Sequence, residues 1–336
     1  MSVMRNKFSI GMNMHNFGST AYNEVHLKRN LDYCAELGIN TIRFNNVSHT
    51  VAEREKVKIV ATECHNRGMD FVLVIDDNIY RNYDTKKVEE FYERYLFKIA
   101  TDYKGYVDAY QILNEPDVAA MHGDIANMVL PGKDGKEKGE YDSVILENAI
   151  LAVRGGIAGI KKADPDVPVS TNFGWWHTAP LYEMHKQGCK FDLIGIDWYS
   201  DQEEVSNICD LVNDVENNIP DIPIMLYETN YWMHPISRDP LEKQMEIKIK
   251  VLRESRQAEW VPKFFKKIYD MSLKDPRISG IIFYELLDEP IITVRNGGDY
   301  CGEANFGFIS CDENGENAIK KPVFEALKKA INETVL

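Results

Sequence analysis

Two glutamates stand where this chain could make and break bonds. Glu115, in YQILNEPDVAA, closes an apolar run and is followed by Pro116. Proline has no N–H and restricts the preceding residue to extended geometry, so Glu115 is expected to be extended at the lip of a sheet. Glu228, in IMLYETNYW, closes a second such run. Two carboxylates facing one pocket can divide labour. One attacks an electrophilic carbon; the other protonates the departing atom and later takes a proton from water. A neighbouring negative charge raises the pKa of the proton donor, and that charge vanishes once the nucleophile is esterified.

The elements that must hold them follow from periodicity. Strand-like runs fall at 8–13, 40–45, 70–76, 108–114, 167–173, 191–197, 222–228 and 279–285, several of them apolar on both faces. Amphipathic helical patterns alternate with them. The first has Leu27, Leu31, Cys34 and Leu37 on one face with Gly38 as its stop. Others are expected near 51–67, 85–104, 143–163, 178–187, 203–217, 241–274 and 320–334. Eight β-α units in 336 residues match a single (β/α)8 TIM barrel better than a doubly wound sheet. No GxGxxG follows the first strand, and no linker or repeat divides the chain, so residues 1–336 read as one domain. Glu115 then ends strand 4 and Glu228 ends strand 7. The long connections 115–142, 229–240 and 285–317 all lie on the C-terminal face, where barrels of this kind build their sites.

The net charge of −14, from 39 basic and 53 acidic side chains, disfavours nucleic acid or an anionic membrane surface and suits a neutral substrate. No apolar run is read as a membrane span, so no membrane insertion is expected. The first residues lack the apolar stretch and cleavage site of a signal peptide. As it stands the chain reads as cytoplasmic, and as secreted if a signal has been removed. The six cysteines show no zinc spacing; Cys34, Cys64 and Cys209 read as buried helix thiols, and Cys301 with Cys311 could bridge in an oxidising compartment. No HxH or HExxH occurs, so neither metal nor cofactor is expected.

Paired carboxylates across a barrel mouth are what retaining glycoside hydrolysis requires, at a separation of about 5–5.5 Å. With NEP ending strand 4 and a glutamate ending strand 7, the chain resembles glycoside hydrolase clan A, the (β/α)8 retaining glycosidases. The tail, YELLDEP with NFGF and KPVFEAL, is similar to family 39 and some family 5 enzymes, with Lys321-Pro322 opening the last helix. The resemblance implies that Glu115 is the acid/base, Glu228 the nucleophile, and Asn114 a hydrogen-bond partner of a substrate 2-hydroxyl. It implies that Arg43 braces the nucleophile and that the Tyr199 hydroxyl touches it. A strand-8 tryptophan common in the clan is absent, so Phe283 or Tyr284 would replace it, and Asp117 stands where asparagine often follows NEP.

Around this pair, Trp175, Trp176, Trp198 and Trp232 lie at or just beyond strand ends, where one or two could stack on sugar faces while the rest pack helices. His177 is a candidate hydroxyl partner. Asp76, Asp77, Glu285, Asp288 and Glu289 read as hydroxyl acceptors or loop organisers, with Glu285 the rival nucleophile. The expected activity is hydrolysis of β-linked oligo- or polysaccharide by double displacement. A non-catalytic carbohydrate-binding barrel and a transglycosidase using the same glutamates are the alternatives.

Overall fold

Eight parallel strands close on themselves in chain order: β1 (Ser9–His15), β2 (Thr41–Asn46), β3 (Asp70–Ile75), β4 (Ala109–Ile112), β5 (Val169–Gly174), β6 (Leu193–Asp197), β7 (Ile224–Thr229) and β8 (Ile278–Phe283). Each pairs with the next, and β8 pairs back onto β1. The chain is a TIM barrel. The computed structural model describes residues 7–18, 21–46, 50–121, 134–200, 206–233, 246–295, 297 and 301–335. The expected helix starts at 203 and 241, and much of the connection 115–142, lie outside those residues.

The outer layer comprises α1 (Leu27–Leu37), α2 (Val51–His65), α3 (Thr85–Tyr103), α4 (Pro116–Ala120), α5 (Ser143–Ala163), α6 (Thr178–Lys186), α7 (Ser206–Asn218), α8 (Glu246–Ser272), α9 (Pro290–Arg295) and α10 (Pro322–Val335). Their ends are chemically marked. Thr50, Asp84 and Asp142 accept hydrogen bonds from the first-turn N–H groups of α2, α3 and α5. Gly38 ends α1 at φ 83°, a left-handed turn that glycine adopts without a Cβ penalty.

Strand alternation sorts the side chains. Ile42 and Phe44, Tyr110 and Ile112, Ile194, Ile196 and Trp198, and Ile281 and Phe283 face the helices and share the large core between the two layers. The opposite phase points into the barrel, where Leu193, Met225, Tyr227 and Ile282 form a separate apolar cluster. Polar residues of that phase lie above it: Asn13 beside Arg43, Gln111 beside Ser170, and Asn172 beside Gly195 in register. From Tyr227, strict alternation would turn Glu228 outward. The β7–β8 register shifts between Leu226 and Thr229, and this irregularity brings Glu228 into the mouth instead.

Two sequence expectations are corrected here. Helix α5 is long and apolar enough, by length and composition, to cross a membrane, whereas no such run was expected. In the fold 61% of its apolar window is buried, and it packs on α3. Cys209 is exposed rather than buried, and Cys301 and Cys311 are free thiols.

The α3–α5 contact is backbone-close. A methyl group at Gly155 or Gly159 of α5 would collide with the carbonyl oxygens of Glu89 and Glu93. In an exposed helix interior, glycine to alanine stabilises by about 1 kcal/mol. Here overpacking wins, and Gly159→Ala should destabilise by about 1–3 kcal/mol in urea unfolding. An unchanged or raised midpoint would show that the two helices can part at no cost.

Candidate active site

Arg43 is fully buried at the centre of the barrel mouth, and each part of its guanidinium has a partner. Nη1 donates to Glu228 Oε1 at 2.7 Å and to Asn13 Oδ1 at 2.6 Å. Nε donates to Gln111 Oε1 at 2.7 Å, and Nη2 to Asn114 Oδ1 at 2.6 Å. Burial opposes this charge, but Glu228 and then Asp197 outweigh it and hold the guanidinium above its ordinary pKa. The second oxygen of Glu228 accepts from the Tyr199 hydroxyl at 2.9 Å. Glu228 is therefore fixed at both oxygens, with its carboxylate presented to the pocket.

Glu115 is held differently. It follows β4 and precedes α4 in a left-handed conformation, φ 40° and ψ 55°, not the extended one expected before proline. Leu113 is also left-handed, at φ 61°. The pre-proline clash disfavours right-handed helix, and the chain turns by the opposite route so that Pro116 can open α4. The Glu115 N–H donates to Asn172 Oδ1 at 3.0 Å. Asn172 Nδ2 in turn donates to Asn114 Oδ1 at 3.0 Å and to Asp197 Oδ2 at 2.5 Å. Burial, then the charge of Glu228, then that of Asp117, pushes the Glu115 carboxyl well above the ordinary glutamate range; a hydrogen bond with Asp197 opposes this. Burial and the charges of Glu228 and Glu115 push Asp197 up as well. The site thus pairs a carboxyl that resists ionisation with one bonded directly to a cation.

Asp117 is fully buried. Its Oδ2 accepts from the Gly174 N–H at 3.1 Å and lies 2.8 Å from His177 Nδ1. Glu115 Oε1, Asp117 Oδ2 and His177 Nδ1 all crowd the single position that a Cβ on Gly174 would occupy. His177 thus lies beside the acid, anchored by Asp117.

The opposite wall is aromatic. Tyr199, Tyr284, Phe306 and Met233 form a cluster with Trp232 packed against it, and the Tyr199 ring centroid is 5.5 Å from those of Trp232 and Phe306. Tyr284, whose hydroxyl donates to Glu303 at 2.9 Å, takes the wall position, while Phe283 is in the core. Asn230 donates to the carbonyls of Tyr284 and Phe306, and Gln257 donates to Asn230 Oδ1 at 3.1 Å and to the Phe306 carbonyl at 3.0 Å. These two amides tie the strand-7 and strand-8 loops together. Lys321, buried at the start of the last helix, pins two parts of the strand-8 connection, donating to Asp288 at 2.5 Å and to the Asn305 carbonyl at 2.9 Å.

Most of the expected site residues converge. Arg43, Asn114, Glu115, Tyr199 and Glu228 share one network, and His177, Trp232 and Tyr284 line it. Trp198 does not: it is fully buried on the outward phase of strand 6, packed under the helices, and cannot meet a ligand in the mouth. Trp176 is half-buried, with Lys136 Nζ 4.2 Å over its ring. The network narrows what Asn114 can offer a ligand. Its oxygen is taken by Arg43, Asn172 and Gln111, so only Nδ2 is left to donate to a ligand. Asn13, Gln111, Asn172, Asp197 and Asn230 escaped the sequence reading. Their signal was a polar residue at the inward phase or end of an otherwise apolar strand. Glu285, expected as a rival to Glu228, is fully buried and hydrogen-bonded to Tyr22, not to Arg43. With His15 and Glu289 it forms a group that could hold a metal ion.

No protein-family model matches the chain, and no curated protein matches its sequence. Solved structures do. The beta-glycosidase BGL167 is 13% identical, with a TM-score of 0.71 over 97% of both chains. The family 1 beta-glucosidase from Thermotoga maritima is 10% identical, with a TM-score of 0.70 over 97% of this chain and 98% of its own. The virulence factor SghA, solved with its substrate analog salicin, is 10% identical with a TM-score of 0.64. At these identities the likeness is one of fold, and it spans the whole barrel. None of these three is named as a family 39 or family 5 enzyme.

The coupling between the two glutamates is measurable. Glu228→Gln removes the largest charge acting on Glu115, so the Glu115 pKa, raised in the wild type, should fall toward the ordinary value. Titration of 13C-labelled glutamate carboxyls by NMR reads this; a Glu115 pKa that rises or stays fixed would show that the two groups do not sense each other.

Proposed function

We propose that this barrel is a retaining glycoside hydrolase that cleaves β-linked sugars by double displacement. The observation that carries the reading is the asymmetry of the two strand-end glutamates. Burial and the charge of Glu228 push the Glu115 carboxyl up, while Glu228 is braced by Arg43 and Tyr199. In the proposed cycle a Glu228 oxygen attacks the anomeric carbon as the bond to the leaving oxygen breaks and Glu115 delivers its proton to that oxygen. Esterified Glu228 no longer carries a charge, so the Glu115 pKa drops and the residue can take a proton from water. The water oxygen then displaces Glu228 and product leaves with net retention. Asn114 Nδ2 donates to the sugar 2-hydroxyl, and Tyr284 and Trp232 supply the apolar face against which sugar C–H groups pack. The names of the similar structures, beta-glycosidases and beta-glucosidases, favour the same chemistry. Membership of clan A, and of a family within it, belongs to this proposal.

Aryl β-glycosides with activated leaving groups separate the two roles. Glu115→Ala should still form the glycosyl-enzyme but turn over slowly, and azide should rescue it with a β-glycosyl azide as product. Glu228→Ala should lose hydrolysis and give no β-azide, because direct displacement inverts the anomeric centre. On substrates with poor leaving groups the Glu115 variant should lose roughly 10²–10⁴-fold in kcat. Its basic pH limb, set by the Glu115 proton, should disappear. The opposite azide pattern would exchange the two assignments. Binding of oligosaccharide by wild type without any turnover would favour a carbohydrate-binding barrel.

A further inference from the structure

Beside the proposed hydrolytic site, at the seam where β8 closes onto β1, a second group of titratable side chains converges. His15 ends β1, Glu285 follows β8, and Glu289 precedes α9. One ligand atom from each lies within 4.8 Å of the other two. His15 Nε2 is 3.2 Å from Glu285 Oε2. Glu285 is fully buried and Glu289 nearly so.

The Tyr22 hydroxyl accepts from the Leu287 N–H at 3.0 Å and donates to Glu285 Oε2 at 2.8 Å, which fixes the carboxylate's orientation. The other oxygen, Glu285 Oε1, is buried and has no hydrogen-bond partner among the described residues; His15 Nε2 makes no hydrogen bond among them, and its approach to Glu285 Oε2 is an ion-pair contact when the imidazole is protonated. The nearby Lys321 ammonium is committed to Asp288. A carboxylate oxygen buried without a donor costs several kcal/mol unless a cation meets it.

We infer that His15, Glu285 and Glu289 bind one divalent transition-metal ion of the zinc class. The His15–Glu285 spacing is compatible with a shared metal ion. Ligand bonds of about 2.0–2.2 Å place neighbouring ligand atoms about 3.0–3.5 Å apart, which the His15–Glu285 spacing meets. A neutral imidazole nitrogen beside two carboxylates suits zinc or manganese better than calcium or magnesium, which prefer oxygen throughout. Tyr22 plays the part of an outer partner that orients a ligating carboxylate. The sequence showed no metal motif because the first ligand is separated from the other two by almost the whole barrel. The ion ties the first strand to the last, so its work is to hold the ring closed. Its neighbour Tyr284, 5.6 Å from the His15 ring, is also part of the aromatic wall.

The test reads metal uptake and stability, not turnover, so it stands or falls independently of the hydrolase reading. Wild-type protein stripped with EDTA and titrated with zinc chloride by calorimetry should bind one ion per chain with a micromolar or tighter Kd, and its Tm should rise by several degrees. Both Glu285→Gln and His15→Gln should weaken that site at least 100-fold; His15 is partly exposed, so its variant can be read even if the buried glutamine prevents folding. Absence of stoichiometric uptake by wild type overturns the inference, since His15 and Glu285 then form an internal ion pair. Uptake that persists undiminished in His15→Gln overturns it equally, because the ion would then be held elsewhere, for instance on the free thiols.

Discussion

One buried cation organises this protein's working end. From strand 2, the Arg43 guanidinium bonds at once to Asn13 on strand 1, Gln111 on strand 4, Asn114 just beyond it and Glu228 on strand 7. Without it, Glu228 and Asp197, paired in register on neighbouring strands, would be two buried carboxylates without a cation, a costly arrangement. With it, one positive charge partly offsets both, and the planar fork sets their positions. The compensation is incomplete, and burial with the neighbouring charges pushes the Glu115 and Asp197 carboxyls up. Two residues of one type are thus placed in different surroundings by where a third residue reaches.

The barrel was legible because strand and helix periods are strong signals over a long alternating chain. All eight expected strands form, with boundaries shifted by at most three residues. Arg43, Tyr199, Glu115 and Glu228 could be brought together because strand order alone determines which ends meet at the mouth. The failures were failures of phase and of local backbone. Trp198 and Tyr199 are adjacent, and one residue's difference puts the first in the outer core and the second on Glu228. Glu228 reaches the mouth only through a register shift, which no pattern of apolar residues announces. The left-handed turn at Leu113 and Glu115 was likewise hidden, since proline excludes one helical region without choosing among the rest.

The walls were less legible than the floor. Asn13, Gln111 and Asn172 sit within strands and could have been found as polar intrusions on an inward phase. The loop ties made by Asn230, Gln257 and Lys321 join segments far apart in the chain, and their partners are mostly backbone carbonyls. A carbonyl leaves no trace in a sequence, so such ties become visible only in three dimensions.

The strained turn at the end of strand 4 bears on how this chain has been selected. Non-glycine residues at positive φ cost roughly 1 kcal/mol or more each, and glycine there would cost far less. Leu113 and Glu115 both occupy such positions. A chain free of any demand on residue 115 would gain stability by drifting to glycine or asparagine, changes reachable by ordinary mutation. That the strained position still holds a half-buried glutamate, beside three other acids, is the mark of a residue kept for what its side chain does and against what its backbone prefers.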